Sequence, residues 1–299
     1  MWTTSGTSSG CFDPLLASPL CSADATFDRG WLSAVTRAIA RPWTHDELVV
    51  AFNLYCELPF GRLHQRAPEV ERLAALLARS PGSVAMKLVN IASLDPAVTA
   101  SGRRGLGNAS VADAAVWSEF HADWEGLALE SARIRQQLAD AHGLPDAIVV
   151  GDDVPLDDHS AAYAGISRPA VVQMRVKQAF FRKAVLASYE GRCCVTGLSA
   201  RRLLVASHIV PWAADPKNRL NPRNGLCLSS LHDKAFDAGL MTLSGDHRVV
   251  MSQAAKSLAE EPFALSSLLA YDGQKIRLPV KFAPDEAFLA HHRTSVFLG

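Results

Sequence analysis

The sequence predicts an α+β protein, with a helical N-terminal part and a C-terminal part that combines helices with short strands. Between residues 31 and 140, apolar residues recur every three to four positions, which is the spacing of amphipathic helices. This periodicity is absent between residues 143 and 169, where Gly, Pro and Asp are frequent. Beyond that stretch a helical pattern returns, followed by two short β-type runs at about 194–195 and 203–207.

These patterns divide the chain into four segments. Residues 1–30 are rich in Ser, Thr and Gly and lack the basic start and apolar stretch of a signal peptide, so we expect a flexible arm. A helical domain is expected over residues 31–142 and a linker over residues 143–169. Residues 170–299 are expected to form the α+β domain.

The composition is that of a globular protein, with 48% hydrophobic and 20% charged residues. Because no run of about 18 apolar residues occurs, we expect no membrane span. The six cysteines lack the spacing of a disulfide framework in a chain of this length. Reduced thiols and a cytoplasmic location are therefore expected.

The net charge of zero hides an uneven distribution of charges. Residues 181–250 contain ten basic and five acidic residues, a local net charge of +5. Residues 121–159 contain nine acidic and two basic residues, a local net charge of −7. Because local fields govern contact with phosphates, the C-terminal part is a candidate for nucleic-acid contact.

The helical part contains a predicted pair of helices joined by a short turn. Thr44 and Glu47 have the spacing of a capping box, which predicts the start of a first helix. A second helix is predicted over about residues 68–78, and a third helix capped by Ser83 after a turn at residues 80–82. Such a pair is typical of a helix-turn-helix, and equally of a plain three-helix bundle that binds no nucleic acid.

In the helix-turn-helix interpretation, the third helix presents Lys87 and Asn90 on or near its exposed face, where they could meet phosphate and read an adenine edge. The basic loop at Arg103 and Arg104 could bind a backbone phosphate, although such loops are as often plain surface turns. Residues 111–140 are predicted to form one longer helix. Its three aromatic residues are better explained by core or interdomain packing than by base stacking. These residues are Trp117, Phe120 and Trp124.

The most specific pattern lies in residues 193–241. It contains Ser-His-Ile-Val-Pro-Trp around His208, Asn-Gly-Leu from Asn224, and His-Asp-Lys-Ala-Phe-Asp-Ala-Gly from His232. The histidine, the asparagine and the second histidine are separated by 16 and 8 positions. This pattern resembles the HNH endonuclease family, whose site is a ββα-metal unit that holds one divalent metal ion against a scissile phosphate.

The resemblance implies a role for each matching residue. His208 would be the general base, and Asn224 the residue that positions it and in some members contacts the metal. His232 would be a metal ligand, whereas Asp237 is either a further ligand or a helix-end residue. Mg²⁺ or Mn²⁺ suits an open site with few protein ligands. Three basic residues expected to contact phosphate lie in the loop between the hairpin and the helix: Lys217, Arg219 and Arg223.

Two departures from the family pattern bear on this site. Ser207 stands where many members have a metal-binding Asp, Glu or His, which leaves the ion with fewer protein ligands. Many members also carry two Cys-x-x-Cys pairs around a structural zinc. Here Cys193 and Cys194 are adjacent and Cys227 is distant, so we expect no structural zinc. We interpret Cys193 and Cys227 as small apolar core residues.

The sequence therefore predicts a metal-dependent DNA endonuclease of the restriction or defence kind, with residues 31–142 recognising double-stranded DNA and residues 170–299 cutting it. The domain order is similar to that of modification-dependent restriction enzymes. Since one ββα unit cuts one strand, a double-strand break implies a homodimer or two successive nicks. Two alternatives remain open: a signal-gated HNH defence effector, and a DNA-binding regulator whose HNH unit is inactive, for which Ser207 would be the symptom.

Overall fold

The computed structural model of the protein describes three stretches of the chain, residues 41–102, 107–143 and 168–299. Arg103, Arg104, the predicted arm and nearly all of the predicted linker lie outside the described residues. The described residues all belong to a single compact unit. Every helix among them is too short or too polar to cross a bilayer.

The described N-terminal residues form a series of α-helices, most of which begin at a capping side chain. The predicted capping box is confirmed, since the Thr44 side chain accepts from the Glu47 N–H and the Glu47 carboxylate accepts from the Thr44 N–H at 2.9 Å. The helices are α1 (His45–Glu57), α2 (Pro68–Leu76), α3 (Pro81–Ala92), α4 (Pro96–Ala100), α5 (Val111–Ala122) and α6 (Trp124–Ala141).

Two helix boundaries differ from the sequence prediction. Ser80, not Ser83, caps α3, because Pro81 occupies the first helical position, where its missing N–H costs nothing. The single helix predicted over residues 111–140 is interrupted at Asp123. The Asp123 carboxylate accepts from the Gly126 N–H at 2.8 Å and thereby starts α6 as a separate helix.

The C-terminal part begins with the long helix α7 (Arg168–Ser188) and continues into a ββα unit. Its two strands, β1 (Leu204–His208) and β2 (Gly225–Ser229), are antiparallel, with His208 opposite Gly225. Helix α8 (Ser230–Asp237) follows β2 directly and is capped by the Ser229 side chain. The elements that follow are β3 (Met241–Leu243), β4 (Val249–Met251), α9 (Gln253–Lys256), α10 (Pro262–Ser267) and α11 (Glu286–Ser295), with β3 and β4 forming a second antiparallel pair.

The sequence prediction is wrong about one of the two strands, the one expected at residues 194–195. Residues 194–195 form a turn, and the strand that pairs with β1 is β2. Gly225 accordingly starts a strand. The basic residues Lys217, Arg219 and Arg223 lie between the two strands. All five β2 residues are buried, so β2 lacks the apolar–polar alternation that identifies a half-exposed strand.

Helix α7 packs against both parts of the molecule. It contacts α1 and α6 on the N-terminal side and both strands of the ββα unit on the other. The predicted packing role of the aromatic residues in 117–124 is confirmed for Phe120 and Trp124, which are 4% and 2% exposed. Trp124 lies 6.4 Å from Phe180 of α7, measured between ring centroids. The N-terminal helices therefore share a hydrophobic core with α7.

A buried lysine makes a second connection between the two parts. Lys281 is 0% exposed, and its ammonium group donates to the backbone carbonyls of Tyr55, Cys56 and Leu58 at the end of α1. The last carbonyls of a helix have no partner within the helix, so the ammonium group satisfies groups that burial would otherwise leave unpaired. Burial lowers the pKa of Lys281 to about 8.

The close approach of α7 to β2 depends on Gly225. A Cβ atom at this position would lie 2.3 Å from Val185 Cγ2 and 3.1 Å from Phe181 Cζ. We predict that Gly225→Ala lowers the free energy of unfolding by roughly 1–3 kcal/mol, because α7 must shift to relieve the overlap. Urea denaturation measures the change. Gly61→Ala is the matched control, since nothing lies within 4 Å of its added Cβ; equal stabilities of the two variants would contradict the prediction.

A buried ion-pair cluster holds the start of α1 against the region after α2. Glu47 is 5% exposed and accepts from Arg79 Nη2 at 2.8 Å and from Arg41 Nη1 at 2.9 Å. Burial acts to raise the pKa of Glu47, but Arg79, the Thr44 N–H and Arg41 together outweigh it. They lower the pKa of Glu47 from 4.5 to about 2.

We predict that, because of this cluster, the free energy of unfolding falls as the pH becomes acidic. Between pH 4.5 and about 2 the unfolded chain binds a proton at Glu47 that the folded chain does not. The contribution of Glu47 is therefore complete above pH 4.5 and is lost as the pH falls through about 2, a change of about 3 kcal/mol. Denaturant unfolding of the wild type and Glu47→Gln at a series of pH values tests this. Identical acid slopes for the two proteins would contradict it.

Candidate functional site

His208 ends β1 and is held on two sides. Its ring stacks on Phe181 of α7 at a centroid distance of 3.9 Å and an interplanar angle of 6°, and Trp212 meets the ring edge-on at 5.5 Å. The Nε2 atom lies 2.9 Å from the backbone carbonyl oxygen of Arg219. Because a carbonyl only accepts, Nε2 carries the hydrogen, and in the neutral ring Nδ1 carries the lone pair. The ring is therefore held in one tautomer, which leaves the basic lone pair on Nδ1.

Asn224 closes the connection between β1 and β2. Its side chain is wholly buried, and its Oδ1 accepts from the Val210 N–H at 2.8 Å. Its Nδ2 donates to the carbonyls of Val210 and Asn218 at 3.1 and 3.3 Å. The Asn224 carbonyl also accepts from the Ile209 N–H at 3.0 Å. These contacts favour the positioning role over metal ligation, since the amide is buried and already engaged at both ends.

His232 lies on α8 and is 2% exposed. Its Nδ1 lies 2.9 Å from Ser229 Oγ, and the ring meets Tyr271 edge-on at 5.3 Å. Its Nε2 is buried and has no hydrogen-bond partner among the described residues. Burial lowers the pKa of His232, so the ring is neutral at physiological pH, and neutral imidazole is the form that binds metal ions. An unpartnered buried nitrogen of this kind fits a metal ligand.

Ser207 precedes His208 on β1 and resembles His232 in one respect. It is 2% exposed, and its Oγ is a buried polar atom without a hydrogen-bond partner in the described part of the chain. Asp237, the last residue of α8, is exposed and stands five positions after His232. Five positions are about 1.4 helical turns, so the two side chains occupy different faces of α8. This separation favours the helix-end interpretation of Asp237.

Over residues 41–102, 107–143 and 168–299, no group of three or more His, Cys, Asp or Glu side chains is placed to hold a metal ion. The candidate ligands in the ββα unit are the Nε2 of His232 and the Oγ of Ser207. Such a set fits a hydrated ion that takes most of its ligands from water and substrate, as Mg²⁺ usually does.

The three predicted phosphate-contacting residues differ in their surroundings. Lys217 is exposed. Arg223 is also exposed and pairs with Asp285 at 3.1 Å. Arg219 is partly buried, pairs with Glu125 at 3.0 Å, and lies over the ring of Trp212 at 5.2 Å. Lys217 therefore has the fewest contacts to break on meeting phosphate.

The expected exposure of Lys87 on α3 is wrong. Lys87 is only 8% exposed, and its Nζ donates to both carboxylate oxygens of Asp113 at 2.8 and 3.0 Å. The reason is tertiary: α5 packs against α3 and brings its buried capping residue Asp113 onto that face. Asn90 is partly buried, and within the described residues its Oδ1 has no hydrogen-bond partner. Met86, at 58% exposed, lies on the solvent side of the helix.

The interpretation of Cys193 and Cys227 as core residues is confirmed. Both are 0% exposed free thiols. The Cys193 sulfur also accepts from the backbone N–H groups of Thr196 and Ser229, at 3.4 and 3.3 Å. It therefore joins the turn before β1 to the end of β2.

Sequence patterns missed two residues that bear on the site. Apolar spacing predicts a helix around Phe181, but no local pattern shows that its ring covers His208. Glu125 belongs to the acidic stretch at 121–159, whose composition indicates only a local negative charge. Both contacts join segments distant in sequence, so they are not encoded in any short motif.

Comparison with known families gives one match. Residues 193–244 match the HNH endonuclease family, and this segment contains the whole ββα unit with His208, Asn224 and His232. No curated protein sequence matches the chain significantly. The match supports the HNH family for this segment and indicates a nuclease that acts on nucleic acid.

The hydrogen bonds of Asn224 lead to a stability prediction. Asn224→Ala leaves the Val210 N–H without its partner in a buried position, so we expect the free energy of unfolding to fall by roughly 1–3 kcal/mol. Thermal and urea unfolding measure the change. Asn221→Ala is the control, because the Asn221 side chain makes one exposed bond, from the Arg223 N–H, and one partly buried bond, to Asn218 Oδ1 at 3.3 Å. Their loss should cost about 1 kcal/mol or less. A larger loss for Asn221→Ala would contradict the prediction.

Proposed function

We propose that the protein is a metal-dependent DNA endonuclease that hydrolyses phosphodiester bonds, in a restriction or defence role. One observation carries the proposal. A segment that matches HNH endonucleases holds His208 in a single tautomer against the Arg219 carbonyl, and a buried His232 whose Nε2 lacks a hydrogen-bond partner among the described residues. A general base and a metal ligand are the two histidine roles that such a hydrolysis needs.

His208 performs the proton transfer in this proposal. Its Nδ1 takes a proton from a water molecule as the water oxygen bonds to phosphorus and the bond from phosphorus to the 3′ oxygen breaks. The ring becomes an imidazolium, and the Nε2–H bond to the Arg219 carbonyl stabilises that positive charge. Stacking on Phe181 keeps the ring in place through the transfer.

His232 and Ser207 are the residues of the ββα unit that would hold the ion. A bound Mg²⁺ or Mn²⁺ would neutralise charge on the phosphate and on the departing 3′ oxygen. The contact of His232 Nδ1 with Ser229 Oγ fixes the ring, and Nε2 would be the coordinating atom. Lys217 and Arg223, both exposed, would contact flanking phosphates.

Recognition of double-stranded DNA would fall to the helical residues 31–142. In support, α2 and α3 pack against each other across a short connection, as a helix-turn-helix does. Asn90 remains the candidate base-reading residue of α3, whereas Lys87, which is buried, is no longer a candidate for phosphate contact. Arg103 and Arg104 are kept as candidate phosphate contacts. Sensing of modified DNA, and a homodimer for double-strand cutting, belong to the same proposal.

Plasmid cleavage tests the proposal. We predict that the wild type nicks or cuts plasmid DNA in Mg²⁺ or Mn²⁺ but not in EDTA, and that His208→Ala lowers the rate by roughly 10²–10⁴-fold. His232→Ala should also lose activity, with partial recovery at higher metal concentration. His64→Ala is the control, because His64 is an exposed histidine outside the ββα unit. Parallel reactions with modified plasmid test the modification-dependent subtype.

Each negative result would contradict the proposal or favour a different function. Cutting in EDTA, or equal rates for His208→Ala and wild type, would contradict the proposed mechanism. DNA binding without cutting in any metal would favour an inactive HNH unit in a regulator, for which the weak ligand Ser207 is the motivating feature. Cutting that appears only when a nucleotide second messenger is added would favour a signal-gated effector.

A further inference from the structure

Glu125 connects the helical part of the molecule to two basic residues of the C-terminal part. It is the second residue of α6 and is about one-third exposed. One carboxylate oxygen accepts from Lys177 Nζ at 2.5 Å, and the other accepts from Arg219 Nη2 at 3.0 Å. Although burial acts to raise the pKa of Glu125, Lys177 and Arg219 lower it overall, so the carboxylate is charged at neutral pH.

Each of these partners belongs to an element that holds the ring of His208. Arg219 supplies the backbone carbonyl that accepts from His208 Nε2. Lys177 lies on α7 four positions before Phe181, and residues four apart share a helix face. The Phe181 ring is the one that stacks on His208. The Glu125 carboxylate therefore contacts both the helix whose Phe181 covers the ring of His208 and the loop residue whose carbonyl accepts from His208 Nε2.

The guanidinium group of Arg219 has few other anchors. Among the described residues its Nε is buried without a hydrogen-bond partner, and the group also lies over the ring of Trp212. Glu125 is its carboxylate partner. Without Glu125, two cations would face each other at this position with no anion between them, and their repulsion would push the loop away from α7.

We propose that Glu125 is a positioning residue for His208, acting from the helical part through Lys177 and Arg219. It keeps α7 and the β1–β2 loop at the separation at which the Arg219 carbonyl fixes the tautomer of His208. The proposal rests on the proposed function only in that His208 is taken as the general base. Its structural content, control of the His208 tautomer, holds for any reaction.

The test compares Glu125→Gln with Glu130→Gln. Glu130 lies on the same helix and pairs with the exposed Arg133 three positions away, so its loss removes an α6 carboxylate without touching the site. Long-range ¹H–¹⁵N NMR of the histidine side chains reports the His208 tautomer, and assignment uses His208→Ala. We expect Nε2–H alone in the wild type and in Glu130→Gln. In Glu125→Gln we expect a mixture of both tautomers.

Kinetics supply the second readout. We expect Glu125→Gln to lower kcat by about 10- to 100-fold with KM nearly unchanged, because misplacement of a catalytic group affects the chemical step. Glu125→Asp, which keeps the charge on a shorter side chain, should recover part of the loss. It also serves in place of Glu125→Gln if that variant does not fold, with a mixed tautomer again expected because the shorter side chain cannot reach both cations.

The outcomes separate this proposal from the proposed function. A tautomer change in a protein that cuts no DNA would support the positioning role and remove the nuclease. An unchanged tautomer with tighter, more salt-sensitive DNA binding would overturn the positioning role. In that case Glu125 merely competes with phosphate for Lys177 and Arg219. Unchanged tautomer, kcat and binding would overturn it as well.

Discussion

The site depends first on the buried amide of Asn224. The connection from β1 to β2 is long, and the bonds from Asn224 to Val210 and Asn218 hold its start and its middle to the residue before β2. Those bonds place Arg219, the residue after Asn218, so that its carbonyl meets His208. Because a buried donor or acceptor left unpaired costs more than a hydrogen bond gains, alternative loop paths that break these contacts are disfavoured. Asn224 thus helps to fix, through the Arg219 carbonyl, which ring nitrogen of His208 carries the hydrogen.

Helix α7 supplies the other half of this constraint. Its approach to β2 is possible only because Gly225 has no side chain, and that approach brings Phe181 onto the ring of His208. The same helix packs against α1 and α6, so its position is set by the hydrophobic core of the helical part. The orientation of His208 is consequently a property of the whole packed unit. The matched segment 193–244 contains His208 and His232, but it does not contain Phe181 and Glu125, which contact or are proposed to position His208.

Local chemistry explains which features could be predicted from the sequence. The Thr44–Glu47 capping box and the placement of His208 at a strand end depend on a few neighbouring residues, and both are confirmed. The pairing of β1 with β2 and the burial of Lys87 depend on partners far along the chain. Lys87 has the sequence context of an exposed cation, and its burial is tolerated because Asp113 of α5 pairs with it and offsets the cost of desolvation. The unpartnered Nε2 of His232 is likewise visible only once burial is known.

The charge distribution has a different meaning in the folded structure than in the sequence. Two cations of the basic stretch pair with acidic residues of the helical part: Arg219 with Glu125, and Lys183 with Glu57. These pairs hold α7 and the β1–β2 loop to the helical part, so part of the local charge of +5 is internal to the fold. Contact with phosphate must then rely on the cations that stay exposed around the hairpin, such as Lys217, Arg201 and Arg202. Since each neutralised phosphate adds to the salt dependence of binding, that dependence is set by these exposed cations and not by the local charge of +5 as a whole.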